Sequence, residues 1–268
     1  MKISVVIPTY NRANTILRAL KSVLNQSYKA DEIIVIDDGS SDETQEILKK
    51  FQDQIVLISQ DNLGVSSARN RGIELCKNEW VAFLDSDDFW HKDKLKLQVE
   101  FHTKNRDILF SHTNELWIRD DKVINQKSHH KKPQGECFLE NLNFCKIAPS
   151  SVMINKKILK DVGYFDQSLK VCEDYDLWLR VLYKYSVGLL HERLVTKYDG
   201  EKNQLSYRYF AMDRFRVYAL EKHLNSRYHV EIKTEIMKKL NILLNGSKRH
   251  KNQEIYEYCM NKLQELKW

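Results

Sequence analysis

Trp80-Val81-Ala82-Phe83-Leu84-Asp85-Ser86-Asp87-Asp88 sets an unbroken apolar run directly against three acids within four residues. An apolar run of this length without a polar break reads as a strand buried on both faces, and the acids stand where it ends. Three carboxylates crowded on one strand tip repel one another and call for a cation. Hard oxygen ligands suit Mg²⁺ or Mn²⁺, ions that keep open positions for phosphate oxygens. A solvated acidic turn is the competing reading of so short a motif.

The residues before this stretch alternate between two periodicities, as β-α-β units feeding a parallel sheet do. Ile3–Ile7, Ile33–Ile36 and Ile55–Ile58 are further short apolar runs. Helical spacing separates them: Ile16, Leu17, Leu20, Val23 and Leu24 share one face, as do Ile47, Leu48 and Phe51. Ser40-Ser41-Asp42-Glu43 reads as a capping box opening the second helix, with Ser40 as its cap. In such sheets ligands bind beyond the carboxyl ends of the strands. Pro8-Thr9-Tyr10-Asn11-Arg12, Asp37-Asp38-Gly39 and the acids at 85–88 all fall on that edge. A third helix is predicted from the stretch 62–72; its N-terminus, with Arg69 and Arg71, favours an anion or marks a plain solvated helix.

Beyond residue 107, Ile108–His112, Leu116–Ile118 and Val123–Ile124 read as strands about a turn at Arg119-Asp120-Asp121. Lys127–Gly135, with His129 and His130, reads as a mobile, solvent-exposed loop. Ser150–Ile154 is a strand candidate, and Glu173–Tyr185 a helix with Leu177, Trp178, Val181 and Leu182 inward. Phe210–Leu224, Ile232–Leu244 and Ile255–Leu266 predict three closing helices.

With 268 residues and 42% hydrophobic content, the chain can bury one substantial core and carry an appendage. Five scattered cysteines without a C-x-x-C pair suggest neither a disulfide framework nor a zinc site, and fit a reducing cytoplasm. No stretch approaches the roughly 18 apolar residues of a membrane span, so the expectation is a soluble or peripheral protein. The net charge of +6 is concentrated at one end. Residues 205–268 carry 13 Lys+Arg against 7 Asp+Glu, which leaves 30 of each in 1–204. Such a basic helical tail suits nucleic acid, an anionic membrane or plain solvent.

Asp37 and Asp38 repel phosphate, so they either accept hydrogen bonds from a base or ribose or cap the following helix. No G-x-x-x-x-G-K-[ST] or G-x-G-x-x-G stands at the right place, which argues against P-loop NTPases and dinucleotide oxidoreductases. Four segments occur in order, each after a predicted strand or before one: Ser4-Val5-Val6-Ile7-Pro8-Thr9-Tyr10-Asn11-Arg12, Val35-Ile36-Asp37-Asp38-Gly39-Ser40, Gly64-Val65-Ser66-Ser67-Ala68-Arg69-Asn70 and Phe83-Leu84-Asp85-Ser86-Asp87-Asp88. Together they resemble the family 2 glycosyltransferases of the GT-A fold, over about residues 1–205 and most closely to residue 100.

That resemblance implies an α/β fold, a Rossmann-like and mostly parallel sheet flanked by helices, with a C-terminal helical appendage. It divides 1–204 into a nucleotide-binding half (1–105) and an acceptor half (106–204), followed by the basic helical region 205–268. It places Pro8, Thr9, Tyr10 and Arg12 along the nucleotide, with Thr9 and Tyr10 flanking the base. Asp38 would accept from the base, and Arg69 would lie near the base or the diphosphate. Asp85 and Ser86 would serve the ribose side and Asp87 the metal, Mn²⁺ or Mg²⁺, with Asp88 an additional candidate.

Cys172-Glu173-Asp174-Tyr175-Asp176-Leu177-Trp178-Leu179-Arg180 resembles the family's Glu-Asp motif at a helix start. Inverting transfer is a single displacement, so a carboxylate must take the proton of the attacking hydroxyl. Asp174 is the candidate base and Glu173 an additional site residue; acids that merely complement a helix N-terminus are the competing reading. The stretch 197–206 resembles one that often carries Gly-Gly-His in bacterial members, and here Glu201 stands where the histidine would be. The acidic tip would then hold the metal largely alone and bind it weakly without nucleotide.

The resemblance thus implies a metal-dependent inverting glycosyltransferase acting from a nucleotide-diphospho-sugar, UDP-linked, on a hydroxyl of a glycan or lipid-linked acceptor. Cell-surface polysaccharide or lipopolysaccharide synthesis is the implied setting. The basic tail suits peripheral contact with an anionic membrane, at the inner face of the cell membrane, better than nucleic acid. Its aromatics, Tyr207, Tyr209, Phe210, Phe215 and Tyr218, fall at helical spacings that suit a core face as well as stacking. A nucleotidyltransferase and a non-catalytic nucleotide-sugar-binding module are the alternatives.

Overall fold

Short apolar runs separated by helical spacing give the first half its elements: β1 (Ile3–Thr9), α1 (Ile16–Leu24), β2 (Glu32–Asp37), α2 (Thr44–Lys49), β3 (Val56–Ser59), α3 (Val65–Leu75) and β4 (Trp80–Phe83). The second half continues with β5 (Phe89–Trp90), α4 (Lys94–Lys104), β6 (Phe110–Arg119), β7 (Lys122–Ile124), β8 (Met153–Asn155), α5 (Lys156–Val162), α6 (Glu173–Lys184) and β9 (Gly188–Tyr198). Three helices close the chain: α7 (Asp213–Glu221), α8 (His229–His250) and α9 (Gln253–Glu265). The structure, a computed structural model, describes residues 1–124, 130–198 and 209–266.

The nine strands among the described residues join one sheet in the order β3-β2-β1-β4-β8-β6-β9-β5, with β7 paired to β6. The first four run parallel. Beyond β4 the sheet is mixed, because β8 is antiparallel to both β4 and β6 while β6 and β9 are parallel. After β1 the chain moves to β2 on one side and later returns to β4 on the other. The ends of β1 and β4 therefore flank a topological switch point, where open α/β sheets leave a crevice.

Burial of both faces explains why these strands carry so few polar residues. Val6, Ile34, Ile36, Val81 and Phe83 enter one buried cluster, while Ile3, Val5, Ile7, Ile33, Val35 and Ala82 enter another on the opposite face. Ile16, Leu20 and Val23 of α1 cover the second face. The first face carries Ala68 and Ile73 of α3 and Leu177, Trp178 and Val181 of α6. Val217, Leu220, Ile232, Ile236, Leu240 and Ile255 belong to that same cluster, so α7, α8 and α9 share their core with the sheet.

Several expectations need correction. Ser40 does not cap α2: its Oγ accepts from the Asn11 backbone N–H at 2.9 Å. The helix instead begins at Thr44, whose N–H donates to Asp42 Oδ1 at 3.0 Å. The two strands expected in 108–118 are one strand, and Ser150 and Ser151, expected to open β8, belong to a 3-10 turn, Pro149–Ser151. The first closing helix starts at Asp213 rather than Phe210, because Ala211 adopts a left-handed φ of 53°. Lys132 is not on an exposed loop; it is buried against Glu115, at 2.6 Å. Residues 125–129 and Glu201, Leu205 and Tyr207 lie outside the described residues.

The packing of α3 on β1 depends on Gly72, where an added Cβ would lie 2.3 Å from Val6 Cγ1. Helix and strand cannot separate locally without opening the core. Gly72→Ala is expected to cost about 1–3 kcal/mol of stability. Chemical denaturation checks this, and adding Val6→Ala should recover part of the loss.

Candidate active site

The crevice at the switch point opens into a cleft of about 1230 Å³, whose walls include Thr9, Arg12, Asp38, Asp85, Asp87 and Asp174. Pro8, Tyr10, Arg69, Ser86, Asp88 and Glu173 line it as well. Every residue to which the resemblance assigned a site role thus reaches one space. They arrive from five directions: the tips of β1, β2 and β4, helix α3 and the N-terminus of α6.

Arg69 joins two of these directions. Its Nη2 donates to Asp85 Oδ1 at 2.7 Å and its Nη1 to Glu173 Oε1 at 2.6 Å. The guanidinium is buried and lies 5.1 Å from the centre of the Phe165 ring. Both forked ends are therefore engaged by protein carboxylates. Burial alone would push the Asp85 carboxyl up, but the charge and hydrogen bond of Arg69, with the charge of Lys197 and the Ser150 hydroxyl, together outweigh it and hold the group below its ordinary value. Burial dominates at Glu173, with repulsion from Asp174 added, and its pKa is pushed up to about 7 against the pull of Arg69.

The tip of β4 is fixed from several sides. The Asp85 N–H donates to Ser150 Oγ at 3.0 Å, and Arg18 Nη2 donates to the Asp87 carbonyl at 2.7 Å. Arg18 also lies 3.6 Å from the centre of the Tyr198 ring. Burial and the neighbouring Asp85 raise the Asp87 carboxyl, opposed by Arg12, whose Nη2 is 4.0 Å from Asp87 Oδ2. Asp88 is raised well above the ordinary range, by burial and by Asp87 and Asp85 against the opposing charge of Lys197. Its Oδ2 is buried without a hydrogen-bond partner.

The oxygens of Asp87 and Asp88, held at raised proton affinity by burial and by neighbouring carboxylates, fit a divalent cation. Among the described residues, no group of three or more His, Cys, Asp or Glu side chains stands ready to hold a metal alone. Asp87 and Asp88 are the carboxylates that could hold such an ion.

On the β2 side, Asp38 already accepts three hydrogen bonds: from Gln60 Nε2 at 2.7 Å, Leu63 N at 3.0 Å and Gly64 N at 2.8 Å. The anion at the start of α3 is thus a side chain of the protein. Gly64 makes this turn possible with a φ of 93°. Thr9 Oγ1, buried in the same wall, has no hydrogen-bond partner, and Tyr10 is exposed at the mouth.

Helix α6 begins under strain, since Cys172 holds a left-handed φ of 62° immediately before Glu173 and Asp174. Asp174 Oδ1 accepts from the Tyr175 N–H at 2.7 Å, and Oδ2 faces Cys145 Sγ at 3.4 Å. A half-buried carboxylate aimed into the cleft is equipped to accept a proton from a bound hydroxyl.

Sequence reasoning did not single out Arg18, Ser150, Trp117 or Lys197. Trp117 and Lys197 line the cleft opposite one another in the β6–β9 register, and Trp117 Nε1 donates to Glu115 Oε2 at 2.9 Å. No local signal marks them, because strand pairing between distant segments brings them there.

Residues 4–163 match the family model described as glycosyl transferase family 2. An uncharacterized glycosyltransferase of Rickettsia conorii is 36% identical over 195 residues, 72% of this chain and 32% of the relative, so the chain spans about a third of that relative's length. The Escherichia coli UDP-Glc:alpha-D-GlcNAc-diphosphoundecaprenol beta-1,3-glucosyltransferase WfaP is 34% identical over 186 residues, 68% of this chain and 70% of that one. The crystal structure of S. aureus TarS 1–349 in complex with UDP-GlcNAc shares the fold, with a TM-score of 0.77 at 21% identity over 99% of this chain and 81% of that one.

Two stability measurements check the electrostatics. Arg69→Met leaves Asp85 and Glu173 without their shared cation and is expected to cost about 3 kcal/mol. Glu173 keeps its proton when folded up to about pH 7, whereas an unfolded glutamate releases it near 4.5. The folded state binds more protons across that window, so stability falls as pH rises through it. Denaturation midpoints of Glu173→Gln between pH 4.5 and 7 should show a flatter decline.

Proposed function

Because the chain belongs to glycosyltransferase family 2, we propose that it moves a sugar from a UDP-sugar to a hydroxyl of a lipid-linked glycan, with inversion, in cell-surface polysaccharide synthesis. The observation that carries this reading is the Asp85–Arg69–Glu173 bridge, which ties the acidic strand tip to the Glu-Asp helix start within one cleft. Such a bridge keeps a leaving-group site and a proton acceptor in fixed relation. WfaP, named for transfer from UDP-Glc to a diphosphoundecaprenol-linked sugar, supports the donor and acceptor classes.

In this reading the acceptor oxygen attacks the anomeric carbon, its proton passes to Asp174, and the nucleoside diphosphate leaves with the bonding electrons. The Tyr175 N–H fixes the Asp174 carboxylate for that transfer. Thr9 and Tyr10 flank the base, Asp38 orders the loop beneath it, and Asp85 and Ser86 face the ribose. Arg69 serves as a positioning residue, since its two Nη groups are bonded to protein carboxylates. Asp87, with Asp88, would hold Mn²⁺ or Mg²⁺, which when bound supplies positive charge for the departing diphosphate.

Among the described residues no helix is long and apolar enough to cross a membrane. Exposed Val230, Met237 and Ile242 accompany exposed Lys238, Lys248 and Arg249 on α8, a combination that suits peripheral contact with anionic lipid.

Asp174→Asn is expected to lose transfer by about 10²-fold or more while still binding UDP, and Asp87→Asn to lose Mn²⁺-dependent UDP binding. Calorimetry and a turnover assay separate the two effects; undiminished turnover in both variants overturns the assignment. Release of pyrophosphate from a nucleoside triphosphate would instead mark a nucleotidyltransferase. Equal retention on neutral and anionic vesicles at moderate salt would remove the membrane contact.

A further inference from the structure

Lys197 reaches the acidic tip through strand pairing alone. β9 runs antiparallel to β5, with Thr196 opposite Phe89, so the next residue, Lys197, stands beside Asp88. On its other side β9 runs parallel to β6, with Lys197 opposite Trp117. Lys197 therefore lines the cleft together with Asp85, Asp87 and Asp88.

Among the described residues, the ion pairs of this wall join Arg12 to Asp87, Arg69 to Asp85 and Glu173, and Lys132 to Glu115. Lys197 is in none of these. The charged groups that face its ammonium are Asp88, Glu115, Asp85 and Asp87. The wall thus contains a charged ammonium that balances four carboxylates at longer range. An ammonium lining the cleft has three N–H donors that a bound anion can accept.

We propose that Lys197 is a diphosphate-binding residue: a fixed cation that keeps the acidic tip assembled in the absence of ligand and donates to a phosphate oxygen of the nucleotide when it binds. This rests on the nucleotide-sugar reading of the cleft. Coulomb's law gives the idea two effects of opposite sign. A resident cation disfavours a divalent ion arriving alone, and it favours a nucleoside diphosphate arriving without metal. A residue that only packs the wall would shift both affinities in the same direction or neither.

The experiment compares the full chain with Lys197→Met and Lys197→Arg. Mn²⁺ binding without nucleotide is read by electron paramagnetic resonance, and UDP binding in EDTA by calorimetry. Lys197→Met is expected to bind Mn²⁺ alone roughly tenfold more tightly and metal-free UDP roughly tenfold more weakly, while Lys197→Arg stays near the parent in both. Parallel loss of both affinities in Lys197→Met, or no change in either, overturns the proposal. If Lys197→Met does not fold, Lys197→Gln carries the same comparison. A parent protein that binds no UDP with or without Mn²⁺ sinks the donor reading itself, and with it the diphosphate role; a parent that binds UDP while the variants match it sinks only Lys197.

Discussion

Arg69 lies 2.6 Å from Glu173 and 2.7 Å from Asp85 with almost no surface left to water. Burying a guanidinium costs several kcal/mol, which two carboxylates at hydrogen-bond distance offset only while both hold their places. One carboxylate belongs to the tip of β4 and the other to the first turn of α6, segments far apart in the chain. The same constraint that makes the arginine tolerable therefore fixes the distance between the two walls of the cleft. Phe165 against the guanidinium and Ser150 beneath the Asp85 N–H complete the enclosure.

Around this pair the cleft is built from charges that are balanced as a group. Arg12 and Lys197 oppose Asp87 and Asp88, and Arg18 holds the Asp87 carbonyl rather than its carboxylate. The neighbouring carboxylates stay close only because these cations surround them. An arrangement of this kind has open capacity for a cation bearing its own anionic oxygens, which is the chemistry of a metal-bound diphosphate. The left-handed Cys172 adds strain where Glu173 and Asp174 begin, a cost that the buried packing of α6 absorbs.

The closing helices contribute to this frame as well as to charge. Lys222 bridges Asp166 and the buried Asp176 of α6, and Lys239, itself buried, donates to the Asn143 carbonyl. Part of the positive excess of residues 205–268 is thus tied into the body. Tyr209 and Phe215 pack against the core, while Phe210 and Tyr218 are exposed, so the aromatic spacing read along the tail is only partly a core face.

The sheet edge, the acids at 85–88 and the Glu-Asp helix start were legible because each is a local pattern: an apolar run meeting polar residues, or acids opening a helix. Periodicity likewise located β1, β2 and β4 and most of α1 and α6, since burial on one or both faces dictates those patterns residue by residue. The capping role assigned to Ser40 failed because Asn11, held in a left-handed conformation on another loop, claims its hydroxyl. Lys132 looked like part of an exposed basic stretch until Glu115, from a separate strand, drew it inside. What the linear chain determined is which chemical groups are available and which strand ends carry them. Which carboxylate meets Arg69, and that Lys197 stands among the acids, was decided only by tertiary structure, because pair energies at 3–4 Å depend on register and crossover between segments that no local spacing encodes.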